Sequence, residues 1–160
     1  MGRKYSAHFQ AVTVTAQQDF FEILAPTDSV VLVHAIEIEQ STEVGDAQEE
    51  MLQILLKRGV GSVTSGSGGT TPTAQPVEDG DTAFGGTVEA NNTTRMATGS
   101  GSIEQLASWS WNERVPFNKT FIPELRPNIS PGNRLTIELA TTPADTMNIS
   151  GTVWFEEVGG

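Results

Sequence analysis

Apolar and polar residues alternate along most of this chain with a period of two, and helical spacing is nearly absent. The clearest case lies in the C-terminal third. Leu135, Ile137 and Leu139 alternate with Thr136, Glu138 and Ala140; beyond a break at 141–146, Met147, Ile149, Gly151, Val153 and Phe155 share one face, with Asn148, Ser150, Thr152, Trp154 and Glu156 on the other. Successive side chains of a strand point to opposite sides, so the pattern predicts two neighbouring antiparallel strands with one apolar face. Pro131-Gly132 ahead of them reads as a turn, because proline presets φ at one corner and glycine supplies positive φ at the next.

The same reading places strands over 6–15, with Val12 and Val14 on one face, and over 19–25, with Phe21, Ile23 and Ala25 in alternation. The longest, 30–40, changes character midway. Val30-Val31-Leu32-Val33 is apolar on both faces, whereas Ile36 and Ile38 oppose Glu37 and Glu39. Such a strand is covered twice at one end and once at the other. A loop, the N-terminal arm or another subunit would supply the second cover, which makes Val31 and Val33 candidate interface residues. His34 shares a face with Leu32, Ile36 and Ile38 on this reading, as a hydrogen-bonded core or interface histidine.

The run 50–58 fits a strand or a short helix by periodicity alone; strand is preferred because Gly59-Val60-Gly61 ends it abruptly. Further strands are expected at 87–97, broken near Asn91-Asn92, at 103–115, with Ala107, Trp109 and Trp111 facing the core, and at 117–122. Pro123 and Pro127 hold the connection between them extended. The segment 59–86, rich in Gly, Ser and Thr, is a long loop, either a mobile surface excursion or a piece ordered by a neighbouring subunit. Eight or nine strands without βαβ alternation or internal repeat make an all-β chain, an antiparallel β-sandwich or barrel. Residues 1–5 are expected to form an N-terminal arm and 6–160 a single domain.

Composition narrows the partners. The 160 residues carry a net charge of −11, and the nine basic residues are scattered. That argues against direct nucleic-acid binding, which needs a basic patch to release counterions. No apolar run approaches the length of a membrane span, and Met1 to Tyr5 is not followed by the apolar region of a signal peptide. With no cysteine there is neither disulfide nor thiolate chemistry, which favours folding in the cytoplasm. Glu37, Glu39, Glu43, Asp46, Glu49 and Glu50 form an acidic run, read as a solvated strand end and loop or, alternatively, as a cation site or a contact with a basic partner.

His8 and His34 are the only imidazoles, too few and too far apart for a cupin-type metal centre. No nucleophile elbow, phosphate-binding loop or His-Glu-x-x-His occurs. Asp79-Gly80-Asp81 resembles a fragment of a calcium loop but lacks the later ligands, so it reads as a turn. The five Asn-x-Ser/Thr sequons, starting at Asn91, Asn92, Asn118, Asn128 and Asn148, read as accidental. Trp154, on the polar side of its strand, is a candidate anchor for a subunit contact or, as in sugar-binding modules, for ligand stacking. No enzyme activity and no cofactor are expected.

Several segments carry a resemblance: Val14-Thr15-Ala16-Gln17-Gln18-Asp19-Phe20-Phe21-Glu22-Ile23, Val33-His34-Ala35-Ile36, Gly45-Asp46-Ala47-Gln48-Glu49-Glu50-Met51-Leu52, Glu89-Ala90-Asn91-Asn92-Thr93-Thr94, Pro131-Gly132-Asn133-Arg134-Leu135 and Ser150-Gly151-Thr152-Val153. Together the chain resembles virion structural proteins of tailed bacteriophages of the capsid-decorating or cement type. The resemblance implies a jelly-roll-like subunit that is non-enzymatic and trimeric, lies on the capsid surface, has the major capsid protein as partner, and brings no catalytic residues. Arg3 and Lys4, on the expected arm, are then candidates for contact with an acidic capsid surface. A carbohydrate- or receptor-binding jelly roll is the alternative, and a cupin-like enzyme a third reading supported by fold analogy only.

Overall fold

A computed structural model describes residues 2–41 and 49–159. Eleven strands follow one another: β1 (Arg3–Val14), β2 (Gln18–Leu24), β3 (Val30–Gln40), β4 (Met51–Val60), β5 (Gln75–Pro76), β6 (Thr87–Asn92), β7 (Ser102–Asn112), β8 (Phe117–Thr120), β9 (Asn128–Ile129), β10 (Arg134–Leu139) and β11 (Met147–Val158). They form two antiparallel sheets. The first runs β5-β1-β11-β3-β8, with β9 beside β3, and the second runs β6-β2-β10-β4-β7. Without the two-residue β5 and β9 and the added edge strand β6, the orders 1-11-3-8 and 2-10-4-7 are those of an eight-stranded jelly roll, two Greek keys folded face to face. The expectation of an all-β sandwich holds, including the strand assignment of 50–58.

The C-terminal pair departs from expectation. β10 pairs with β2 and β4, while β11 pairs with β1 and β3, so the two are not hydrogen-bonded neighbours but face each other across the sandwich. Their apolar sides were read correctly: Leu135, Ile137, Leu139, Met147, Ile149, Val153 and Phe155 are all buried. A hairpin and a corner between sheets leave the same alternation in a sequence, because in both the apolar sides end up facing one core.

The interior is aromatic at both ends. Tyr5 stacks with Phe155 at 5.7 Å between ring centroids, and Phe84 meets Phe155 edge-on at 4.9 Å. Phe9 lies 5.1 Å from Phe21 and 6.0 Å from Phe20. Phe20 and Phe21 both turn inward because Phe20 is the extra residue of a bulge in β2, between the pairs Phe21–Ile137 and Asp19–Glu138. Gly151 makes room for this cluster: a Cβ there would come within 2.8 Å of the Phe9 ring and 3.3 Å of Phe21.

A second bulge changes the reading of β3. The register slips between Trp154 and Phe155, opposite Ala35 and Val33. Val31 and Val33 before the slip, and Ile36 and Ile38 after it, all face the interior at 0% exposure. His34 therefore lies on the outer face with Leu32, and not with Ile36 and Ile38 as expected. The inner half of the double apolar run is core, and its outer half, Val30 and Leu32, is partly exposed on a strand paired with β9 and with Pro127, whose carbonyl accepts from the Val33 N–H at 3.0 Å. Pro123 and Pro127 frame not an extended segment but a 3-10 turn, Pro123–Leu125.

The expected N-terminal arm is part of the sandwich. β1 begins at Arg3, Tyr5 is fully buried, and Arg3 lies opposite Glu157 in the register with β11. Part of the long loop is bridged within the chain itself. Residues 61–70 lie antiparallel to 90–101 through bridges Thr64–Ala97, Ser67–Thr94 and Thr70–Ala90. This flap covers the outer face of the second sheet. The chain then rounds the sandwich edge, adds β5 to β1, and returns as β6 beside β2. β6 thereby extends the second sheet along β2, and β5 covers Tyr5 and Ser6 on the edge of β1.

Candidate interaction surfaces

Three surfaces deserve description: the polar layer under the flap, the outer face of the first sheet, and the sandwich edge formed by β7 and β8.

Under the flap, the bulge in β2 sends Asp19 and Glu22 to the outer face, beside Arg134, Thr136 and Glu138 of β10. These carboxylates fasten the flap. Asp19 Oδ2 accepts from the Met96 N–H at 2.7 Å, and Glu22 accepts from the Gly66 N–H and the Ser65 hydroxyl, both at 2.8 Å. Glu22 also pairs with Arg134 at 2.7 Å, and Glu138 is held between Lys57 at 2.7 Å and Arg95 at 2.9 Å. All three acids are buried. Two of them have cations; Asp19 has none in contact, and its Oδ1 is buried without a hydrogen-bond partner. Burial raises its pKa to about 7; the Met96 N–H opposes the shift, the negative charges of Glu138 and Glu22 add to it, and Lys57 partly offsets it. The layer is internally satisfied apart from a few atoms, and it secures the flap.

The outer face of the first sheet carries the sequence-predicted Trp154 and Lys4. Trp154 is 37% exposed, and its Nε1 donates to Glu37 Oε2 at 3.2 Å. Lys4 and Trp154 border a small hollow together with His34 and Val77. His34 Nε2 lies 2.9 Å from Glu156 Oε2, so this histidine is hydrogen-bonded as expected. Beside Trp154 an open cleft of about 520 Å³ is lined by His8, Gln10, Glu37, Glu39, Asn118 and Thr152. It is wide, open and lined mainly by polar side chains. Arg3 is engaged elsewhere, with Glu157 at 2.8 Å. The structure thus brings Lys4 and Trp154 together, holds Arg3 in an ion pair, and places Val31 and Val33 in the core, where no interface reaches them.

Of the acidic run, Glu43 and Asp46 lie outside the described residues. Glu50 accepts from the backbone N–H groups of Ala144 and Asp145, and Glu49 accepts from Asn112, so both are tied to the fold. Among the described residues no group of three or more His, Asp or Glu converges to hold a metal ion. Asp79-Gly80-Asp81 is indeed a turn, with Gly80 at φ 102° and the Asp81 N–H bonded to the Glu78 carbonyl at 3.2 Å.

The β7/β8 edge was not singled out from the sequence. Leu106, Val115, Ile122 and Leu125 are 40%, 58%, 58% and 68% exposed there. A cleft of about 420 Å³ opens among Leu106, Phe121, Leu125, Lys119, Arg126 and Arg58, with Glu124 on its rim. Lys119 Nζ sits 5.8 Å from the Trp109 ring centroid and 5.7 Å from that of Phe121, and Arg126 Nε is buried without a partner. Arg58 is already held by Glu104 at 2.7 Å. The available signal was the run 117–127, in which Phe, Ile and Leu stand among Lys, Arg and two prolines without alternation.

No protein-family model matches the chain, and no curated protein matches it. Among solved structures, one similarity is to a chain described as "Structure of infectious bursal disease virus Gx strain", with 12% identity over 100% of this chain and 39% of that one. Its TM-score is 0.14, too low to support any argument about fold or function.

Proposed function

We propose that this chain is a non-enzymatic structural protein of a phage virion, which folds in the host cytoplasm and then decorates or cements the capsid as a trimer bound to the major capsid protein. The observation that carries the reading is the contrast between its two edges. One is bordered by the chain's own flap, β5 and β6 and leaves Val77 exposed beside acidic residues; the other presents exposed leucine, isoleucine and valine beside a cationic cleft. An apolar edge of this kind marks a surface used in assembly. The resemblance adds weight, because four of its six segments fall on the jelly roll: the β1–β2 corner with its bulge, the slip in β3, the turn into β10 and the middle of β11. The test is addition of purified protein to capsids that lack it. Saturable binding at a fixed ratio to the major capsid protein is expected; capsids that neither bind it nor differ from wild type in composition overturn the proposal.

A second reading, a carbohydrate- or receptor-binding module of a virion, is favoured by half-exposed Trp154 beside the polar cleft of the first sheet. On that reading, glycan-array signals appear and are abolished by Trp154→Ala without change in oligomeric state. A blank array removes its basis.

A further inference from the structure

The two ends of the first sheet are chemically complementary. At the β8 end lies the cleft floored by Leu106, Phe121 and Leu125. Its Lys119 has no carboxylate partner among the described residues, and Arg126 presents a buried, unpartnered Nε. At the β5 end, on the far side of the same sheet, Val77 is 51% exposed and leads straight into the turn Glu78-Asp79-Gly80-Asp81. The Val77 N–H is pinned to the Lys4 carbonyl at 2.8 Å, so this knob is fixed to β1. None of its three carboxylates forms an ion pair among the described residues, and no side chain lies within 4 Å of a Cβ built on Gly80.

We propose that the Val77–Asp81 turn of one copy docks into the Lys119/Arg126 cleft of the next, with Val77 on the apolar floor and the carboxylates on the two free cations. The occupant is a second copy of this chain, because the chain itself carries the matching apolar and acidic chemistry. The contact is heterologous, joining different patches of the two copies, and a heterologous contact closes into a ring when its rotation permits. It gives the trimer of the proposed function its surfaces, and in that respect it rests on that reading. Opposite charges at the rim also fix the register of the contact.

The experiment is light scattering on size-separated full-length chain, as wild type, Lys119→Glu/Arg126→Glu, Glu78→Lys/Asp79→Lys, and the combined quadruple variant. Each variant's fold is checked by thermal unfolding. The wild type is expected to form a closed oligomer, each double variant to self-associate roughly tenfold or more weakly, and the quadruple variant, with charges exchanged, to recover the oligomer. A wild type that stays monomeric up to high concentration overturns both the interface and the trimer. An oligomer that survives both double variants overturns the interface and leaves assembly through another surface. Loss in both doubles without recovery in the quadruple overturns the charge pairing. Binding to capsids, measured separately, tests the virion role whichever of these is found.

Discussion

Asp19 gives the sharpest energetic test of the flap. Its carboxyl is fully buried, accepts one backbone N–H, and has a pKa raised from 3.8 to about 7. A raised acid binds its proton more readily in the folded chain than in the unfolded one. Between the two values the native state holds more protons, so stability falls as pH rises through that window and stays lower above it. The gap is worth about 4 kcal/mol in all. At pH 5 the unfolded chain is already mostly ionised at this position, so about 2–3 kcal/mol of the loss remains to be seen between pH 5 and pH 8. Asp19→Asn keeps an oxygen for the Met96 N–H but cannot ionise. Its extra amide hydrogens cost about 1–3 kcal/mol at every pH, so the informative quantity is the slope and not the absolute stability. Urea unfolding at pH 5, 6, 7 and 8, followed through the buried Trp111, should show wild type losing about 2–3 kcal/mol more than the variant across that range. With a urea dependence of about 1–3 kcal/mol per molar, the midpoints converge or cross by roughly 1 M. Protein concentration must be held fixed, since self-association shifts apparent stability. Parallel curves for wild type and variant would falsify the assignment of a neutral Asp19 under the flap.

Two further outcomes follow from the packing. Gly151→Ala places a methyl within 2.8 Å of the Phe9 ring in the middle of the aromatic core; a loss of about 1–3 kcal/mol is expected by calorimetry or denaturant unfolding, and an unchanged midpoint would show that Phe9 has room to move. Arg134→Met removes the cation 2.7 Å from buried Glu22. Stranding that carboxylate is expected to cost about 3–5 kcal/mol, with faster proteolysis of the 61–70 segment, and the double variant Arg134→Met/Glu22→Gln should recover much of the loss.

The strands were legible because half-buried β-structure leaves a period of two, and residues 135–139 and 147–155 display it on either side of a short break. The pairing of those strands was not legible, since alternation records which side chains turn inward and not which sheet a strand joins. Bulges defeat the pattern outright. One extra residue at Phe20 and one slip opposite Trp154 reassign every later side chain to the other face, which is why His34 was grouped with Ile36 and why Val31 and Val33 were read as interface. The flap escaped notice for a compositional reason. Gly, Ser and Thr look like a mobile loop, yet Gly66 and Gly69 are what allow close approach: a Cβ on Gly69 would stand 2.1 Å from the Ala90 carbonyl. Of the surface residues, Trp154 was visible as a large aromatic on a polar face. Lys119 and Arg126 were not, because a lone cation in a sequence says nothing about whether an acid lies beside it.

The position of β10 and β11 has a consequence for how the chain is made. Each is the middle strand of its sheet, β11 between β1 and β3 and β10 between β2 and β4. Arg3 waits for Glu157, and β3 waits for the same strand. At ribosomal speeds of about 5–20 residues per second, the stretch from the end of β3 to β11 takes roughly 5–20 s to synthesise. Throughout that time all four flanking strands lack a central partner: β1 can pair only with β5, β3 with β8 and β9, β2 with β6 and β4 with β7, each as it emerges. Both sheets are completed by a late insertion at the centre, like a keystone, and not by adding strands at the rim. The interval before β11 emerges is therefore the period in which the nascent chain is most exposed to wrong strand pairing, and slowing synthesis between β9 and β11 should lower the yield of folded protein more than slowing it anywhere earlier.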